Sequence, residues 1–409
     1  VIQPDAKELP ELVRELHRQG TAWLPCGLGS RLDWGAPLRQ PCLPLSCARL
    51  RGIVEYNPGD FTVTVRAGTA LAELQEALAP HRQWLPIDLP WGSERAIGSG
   101  SLGGLVARGL SGGYRQRYLG LRDQLLGIEL LRADAVLARG GGRVVKNVAG
   151  YDLMRLLCGS WGSLALITQV TLRTQPLPAL RCGLLVQGGA EALAPLARWL
   201  LASGLTPERV DWWSASLAAS AGLARQPLLL IGLASLSAVS LAEQREMIRR
   251  RCDLPLRPVE AEELAGLLAI GRGRPGVGET RSDPGWLLRF GLSNEHLPGL
   301  LAAAELEQLA VEVAAGTGIG QIWNPPGVCA ALSGARVEAL RQHCRQLGGW
   351  LSVLRQPAGF NLPAWLDAPS RPLIEAVKRR FDPQEQLAPG RLPGVAGGLP
   401  PAAPAASGS

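Results

Sequence analysis

Apolar residues at positions 9, 12, 13 and 16 recur at three- and four-residue spacing before Gly20, which predicts an amphipathic helix from about 7 to 19. Thr21 to Leu24 reads as a short strand running into the turn Pro25-Cys26-Gly27-Leu28-Gly29-Ser30-Arg31. Phe61, Val63, Val65 and Ala67 alternate with Thr62, Thr64 and Arg66, the period of two that marks a half-buried strand. A helix with Leu71, Leu74 and Leu78 on one face follows. From 92 to 120 the pattern dissolves into a glycine-rich stretch, read as a long irregular loop, and long loops inside compact domains usually carry function. Asp123 to Arg132 restores strand character, Gly140-Gly141-Gly142 reads as the turn after it, and Leu153, Leu156 and Leu157 mark a short helix closed by Gly159. Leu164 to Leu172 is the next strand, ending before Pro176 and Pro178.

Those prolines mark a domain boundary. Beyond them, strand-like runs at 183–187, 228–233, 286–292 and 350–354 alternate with helical runs near 190–203, 238–251 and 335–347, without an internal repeat. Leu373 to Phe381 is a last helix, and from Pro393 the composition turns to Pro, Ala, Gly and Ser, which predicts disorder. The expected organisation is α+β. A first domain covers 1–178, an α+β cap domain 179–356, a segment returning to the first domain 357–392, and a disordered tail 393–409. A chain of 409 residues exceeds the size at which one core keeps growing, in line with two packed domains.

Composition excludes more than it selects. The net charge of +7 is spread along the chain, and no basic run resembles a nucleic-acid arm, so no nucleic-acid partner is expected. Eight cysteines without a Cys-x-x-Cys pair give no iron–sulfur or zinc signature and read as reduced and mostly buried. No apolar run is long enough for an integral membrane segment, and Val1 leads into a polar helix rather than a signal peptide. The expected location is cytoplasmic, with any membrane contact peripheral at the inner face.

Glycine is the unusual component, 50 residues with a concentration before position 165. Successive backbone N–H groups in the Gly27-Leu28-Gly29-Ser30-Arg31 turn can form a concavity for phosphate oxygens. The turn is not the Gly-x-Gly-x-x-Gly dinucleotide fingerprint, because position 32 is Leu and no helical pattern follows. A second cluster runs from Gly98 through Gly100-Ser101-Leu102-Gly103-Gly104, and a third is Gly159-Ser160-Trp161-Gly162-Ser163-Leu164. Three separated glycine loops in one domain suggest one extended ligand.

At these motifs the chain resembles flavoproteins of the vanillyl-alcohol-oxidase and para-cresol-methylhydroxylase (PCMH) type. The shared features are the Pro25-to-Arg31 loop, the strand and helix from Phe61 to Leu78, Gly100 to Gly104, Arg117-Tyr118 with Arg122-Asp123, and Lys146-Asn147-Val148-Ala149-Gly150-Tyr151-Asp152-Leu153. The segment from Gly159 to Thr168 completes them. The resemblance implies a two-subdomain PCMH-type FAD-binding domain. Pro25, Gly27, Leu28, Gly29, Ser30 and Arg31 would cradle the pyrophosphate of FAD. Gly100, Ser101, Leu102, Gly103 and Gly104, with Ser111 and Gly112, would line the flavin. Gly162, Ser163 and Ile167 would hold the cofactor through main-chain groups, and Arg391 would belong to a returning C-terminal segment. Leu28 stands near where some relatives link flavin to histidine, which implies noncovalent FAD.

The wording from Gly142 to Leu153 is similar to the smaller FAD-binding subunits of bacterial glycolate oxidases. That implies an FAD-dependent oxidoreductase subunit acting on the CH-OH group of a small 2-hydroxy acid. Its expected partners are a larger FAD-binding glycolate oxidase subunit and an iron–sulfur subunit. The chain's histidines, His17, His81, His296 and His343, form no pair spaced for a metal or a catalytic base, so no metal is expected and the catalytic residues stay unassigned. Arg272, Arg274, Arg281 and Arg289 are the scattered cations the cap offers to a carboxylate. Two alternatives remain open: a stand-alone FAD-linked oxidase or dehydrogenase of another 2-hydroxy acid, and a non-catalytic scaffold with the flavoprotein fold. Ser163, Ala165, Ala388 and Ala135 depart from the family pattern, and Trp212, Trp213 and Trp350 read as cap core or interface.

Overall fold

The structure, a computed structural model, describes residues 1–91, 100–142, 152–273, 285–325 and 332–397. The calls on Gly98, on 143–151 (Lys146 to Tyr151 included), on Arg274 and Arg281, and on 398–409 lie outside the described residues.

The described residues of the N-terminal part form a five-stranded antiparallel sheet in the order Ile53–Asn57, Thr62–Arg66, Leu166–Arg173, Leu125–Leu131, Leu137–Gly141. Helices Leu71–Leu78 and Leu102–Arg108 pack their leucines on one face of it, around Val63, Val65, Ile128 and Val170. The alternation at 61–67 places the strand, but Thr62 and Thr64 are buried as well. The reason is local: Thr64 and Thr171 share a hydroxyl hydrogen bond of 2.9 Å across the strand pair, which satisfies polar atoms without water. The glycine run at 140–142 is not the turn. Gly140 and Gly141 continue the strand opposite Ile128 and Gly127, and the reversal lies at Ala135, whose φ is +60°.

A small parallel pair, Trp23–Cys26 with Leu43–Ser46, stands beside that sheet. It lies two residues later than the Thr21-to-Leu24 expectation. The C-terminal segment comes back to it. Asp382, buried, pairs with Lys378 and accepts from the Gln386 and Leu387 backbone N–H groups, and Leu387 bridges in parallel to Trp23. The Gln386 amide donates to Leu16 and Thr21 carbonyls, and Lys378 Nζ donates to the Ser163 carbonyl at 2.7 Å. The packed chain extends to Gly397, past the predicted onset of disorder at Pro393, because Val395 is buried against the leucines of the first sheet.

Residues 180–355 contribute an eight-stranded antiparallel sheet among the described residues. Its order is Leu256–Val259, Leu180–Gln187, Leu228–Ser235, Arg209–Trp213, Ala310–Ala314, Ile319–Trp323, Leu287–Gly291, Trp350–Arg355. Helices Ala190–Ala202, Ala238–Arg251 and Gly334–Gln346 pack leucines, valines and isoleucine into one large apolar cluster with this sheet. Trp212 and Trp213 are core, whereas Trp350 is 45% exposed at the sheet edge and does not belong to it. The mixed helix-and-sheet class expected from the pattern is the class observed. Seven cysteines are described, all free; Cys47, Cys182 and Cys344 are buried and the other four partly so, less burial than composition suggested.

Candidate cofactor site

A cleft of about 740 Å³ opens where the Pro25-to-Leu32 loop faces the start of helix Leu102–Arg108 and the segment Trp161 to Ile167. The chain can close this tightly only because of glycine. A Cβ at Gly27 would lie 1.8 Å from the Ser101 hydroxyl oxygen, and one at Gly103 would lie 2.6 Å from the Ala67 Cβ. Gly29 has φ +74°, the left-handed region that a β-branched residue resists. The 92–120 stretch, read as irregular, therefore contains a helix. Ser101 caps it by accepting from the Gly104 N–H at 3.3 Å, and Leu102, Leu105 and Val106 are buried beneath.

Of the residues singled out from sequence, Pro25, Gly27, Leu28, Gly29, Ser30, Arg31, Ser101, Gly103, Gly104, Gly162, Ile167 and Arg391 line this cleft. Gly100 lies just beneath, where a Cβ would come within 3.3 Å of both Arg31 and Arg108. Leu102 is fully buried core, and the Ser163 hydroxyl turns inward to the Ser160 carbonyl at 2.6 Å; neither lines the cleft. Arg391 sits at the rim but spends its guanidinium on the Ala36 and Leu32 carbonyls, holding the first loop in place.

Arg108 was not anticipated. It faces Arg31 across the floor of the cleft, and burial, then the Arg31 charge, lower its guanidinium to about 9. Arg31, 8% exposed, is lowered by burial to about 10, with Asp33 opposing. Arg31 lies over the Trp34 ring at 5.0 Å and donates to the Trp91 carbonyl at 3.3 Å. Arg108 has no hydrogen bond or ion pair with any described residue. Two desolvated cations that repel each other favour an anion between them. Sequence offered no signal for Arg108, because the stretch that carries it reads as an irregular loop and Arg31, which it faces, is far away in the chain.

A second cavity lies where the eight-stranded sheet meets the 88–90 and 111–113 segments of the N-terminal part. Ser111 and Gly112, expected at the flavin, line this cavity together with Arg272, Arg289, Glu312 and Gln321. A third, narrow gap shares Arg31 and Arg108 with the first cleft and Leu89 and Pro90 with the second cavity. One wall is a buried ion cluster in which Arg209 meets Asp88 at 3.3 Å, Glu312 at 3.1 Å and Asp211. Gly112 and Gly113 let it form, since a Cβ on either would come within 2.7 Å of Asp88 or Asp211. Burial first, then neighbouring carboxylates in Glu312, raise Glu312 to about 8 and Asp211 to about 6 despite Arg209. None of the four histidines lines either cavity.

The fold and the cleft define a protein whose N-terminal part is built for an extended anionic cofactor. Residues 1–141 match the family model described as an FAD binding domain. The cofactor is FAD. The chain is 35% identical over 200 residues to the glycolate oxidase subunit GlcE of Escherichia coli (strain K12), across 48% of this chain and 55% of that one. It is 28% identical over 218 residues to the glycolate oxidase subunit GlcD of Bacillus subtilis (strain 168), across 51% and 45%. The chain thus spans about half the length of these relatives. A solved structure of alkyldihydroxyacetonephosphate synthase superposes with a TM-score of 0.66 at 14% identity, over 96% of this chain and 77% of that one, which establishes a shared fold. Among the described residues no helix is long and apolar enough to cross a membrane.

Proposed function

We propose that this chain is an FAD-dependent oxidoreductase subunit that serves the oxidation of glycolate, or a close 2-hydroxy acid, beside a larger flavoprotein and an iron–sulfur partner. The observation that carries the reading is the glycine-walled cleft with Arg108, which has no ion pair among the described residues, on its floor, in a chain whose relatives include glycolate oxidase subunits. Bound FAD would supply acceptance of two electrons. In this account the Pro25-to-Arg31 loop and Ser101 to Gly104 hold the dinucleotide, Arg31 and Arg108 neutralise its pyrophosphate, and Ala165 to Ile167 close the cleft wall. Binding is noncovalent, supported by Leu28 in the cleft. The domain division at about 178 follows the passage from the first sheet to the second.

No iron–sulfur ligand set is apparent in the sequence, so onward electron transfer is assigned to a partner. The expected result is that the purified chain binds FAD but turns over glycolate with an artificial dye acceptor far below the ~10 per second of a median enzyme. Activity is expected to return on mixing with the two partners. Turnover near the median rate by the chain alone would favour the stand-alone oxidase, a reading supported by the second cavity and its arginines.

A further inference from the structure

We infer that the groove between helix Arg115–Tyr118 and the segments 200–207 and 316–317 is a docking site for an acidic segment of a partner polypeptide. The groove shares no lining residue with the cofactor cleft or with the second cavity, so the inference goes beyond the proposed function and does not depend on it.

Three features of the groove specify its occupant. Its charge is of one sign, because Arg115 and Arg117 line it and no aspartate or glutamate does. Both arginines are exposed, and the Arg115 guanidinium has no hydrogen bond or ion pair among the described residues. Arg117 donates to the Thr206 carbonyl and lies over the Tyr118 ring at 5.9 Å, which holds its fork in place and leaves further donors for a carboxylate. Glu208, two residues beyond Thr206, is already paired with Arg181 and accepts from Tyr118, so it does not neutralise them.

The second feature is apolar. Leu201 and Leu205, partly buried against the core of the larger sheet, line the same groove. The third is Gln116, whose buried Oε1 accepts no hydrogen bond. Gly316 gives that oxygen room, since a Cβ there would lie 2.6 Å from it. The groove therefore lacks carboxylates for its arginines, an apolar side chain for its leucines and an N–H donor for Gln116. A polypeptide segment with acidic residues beside a leucine-like one carries all three. Free phosphate leaves the leucines and the amide unanswered, and a flat bilayer surface does not reach the recessed Gln116 oxygen. The open groove, about 1,330 Å³, also exceeds the ~300–1,000 Å³ of small-molecule pockets.

The test begins with selection from a random peptide display library on the immobilised chain. A selected peptide is then synthesised with a fluorophore and titrated against the chain by anisotropy. The selected sequences are expected to be enriched in Asp and Glu beside apolar residues, and the labelled peptide to bind saturably and more weakly as salt is raised. Arg115→Gln removes a guanidinium with no protein partner, and Thr206→Glu puts a negative charge in the groove while keeping the carbonyl that holds Arg117. Each should retain the parent's Tm and weaken the peptide roughly ten-fold. No selection, selected sequences without acidic enrichment, or unchanged affinity in both variants would overturn the assignment. Sedimentation with phosphatidylglycerol vesicles, or self-association in light scattering, that Arg115→Gln abolishes while no peptide binds would overturn it in favour of a membrane or a second copy.

Discussion

At the scale of single residues, the cleft depends on atoms that are missing as much as on those present. Gly27→Ala sets a methyl carbon against the Ser101 hydroxyl, so FAD affinity should fall at least ten-fold in a fluorescence titration. Gly27→Ala combined with Ser101→Gly should recover part of that loss, since the two positions share one contact. Equal losses in single and double variants would mean that the clash is not the cause. Ala135 tests backbone strain. It holds φ +60° in a turn where the family pattern places glycine, and a left-handed alanine costs about 1–2 kcal/mol, partly offset by the chain entropy that glycine loses. Ala135→Gly is therefore expected to gain about 0.5–1 kcal/mol in denaturant unfolding; a loss would contradict the assignment of strain.

At the scale of elements, helix Leu102–Arg108 carries both a wall and a charge of the cleft. Arg108→Gln relieves repulsion with Arg31, so the FAD-free chain should melt no lower than the parent, while FAD binds at least ten-fold more weakly. A lower Tm without FAD, with unchanged FAD affinity, would make Arg108 structural. This helix also shows where sequence reading stops. Its glycines suppress the periodicity of three and four, and the packing of Gly103 on Ala67 that makes glycine necessary is long-range. In the larger sheet, Arg209–Trp213 and Ala310–Ala314 went unrecognised for a related reason. Both bury polar side chains, Arg209, Asp211 and Glu312, whose partners meet only in the assembled sheet, so their faces do not read from sequence as core. The strand at 62–66 and helix Leu71–Leu78 were legible because their apolar faces meet the core directly. The first glycine loop was legible because the positive φ of Gly29 is a local constraint, whereas the approach of Gly27 to Ser101 is not. Arg108 and the convergence of Arg272 with Arg289 were not, because partners far apart in sequence create them.

At the scale of the whole molecule, the ion cluster around Arg209 ties the N-terminal part, through Asp88, to the eight-stranded sheet. Tyr118, donating to Glu208 at 2.9 Å, and Arg181, over the Trp84 ring at 4.5 Å, extend the same seam. Three carboxylates around one guanidinium make that seam sensitive to pH. Glu312 in the folded chain holds a proton up to about pH 8 that the unfolded chain releases near 4.5. Its contribution to stability is therefore full below about 4.5 and is lost as pH rises through 8, with a slope of up to ~1.4 kcal/mol per pH unit. Glu312→Gln should flatten the fall of Tm between pH 5 and 8, whereas a parent Tm that rises across this range would contradict the sign. The central claim, that this chain holds FAD noncovalently in the glycine-walled cleft, is tested most directly by incubating the purified chain with excess FAD. Unbound cofactor is then removed, the protein is precipitated with acid, and the flavin absorbance of supernatant and pellet is measured. The account predicts one FAD per chain, all of it in the supernatant; a colourless protein, or yellow that stays with the washed pellet, would contradict it.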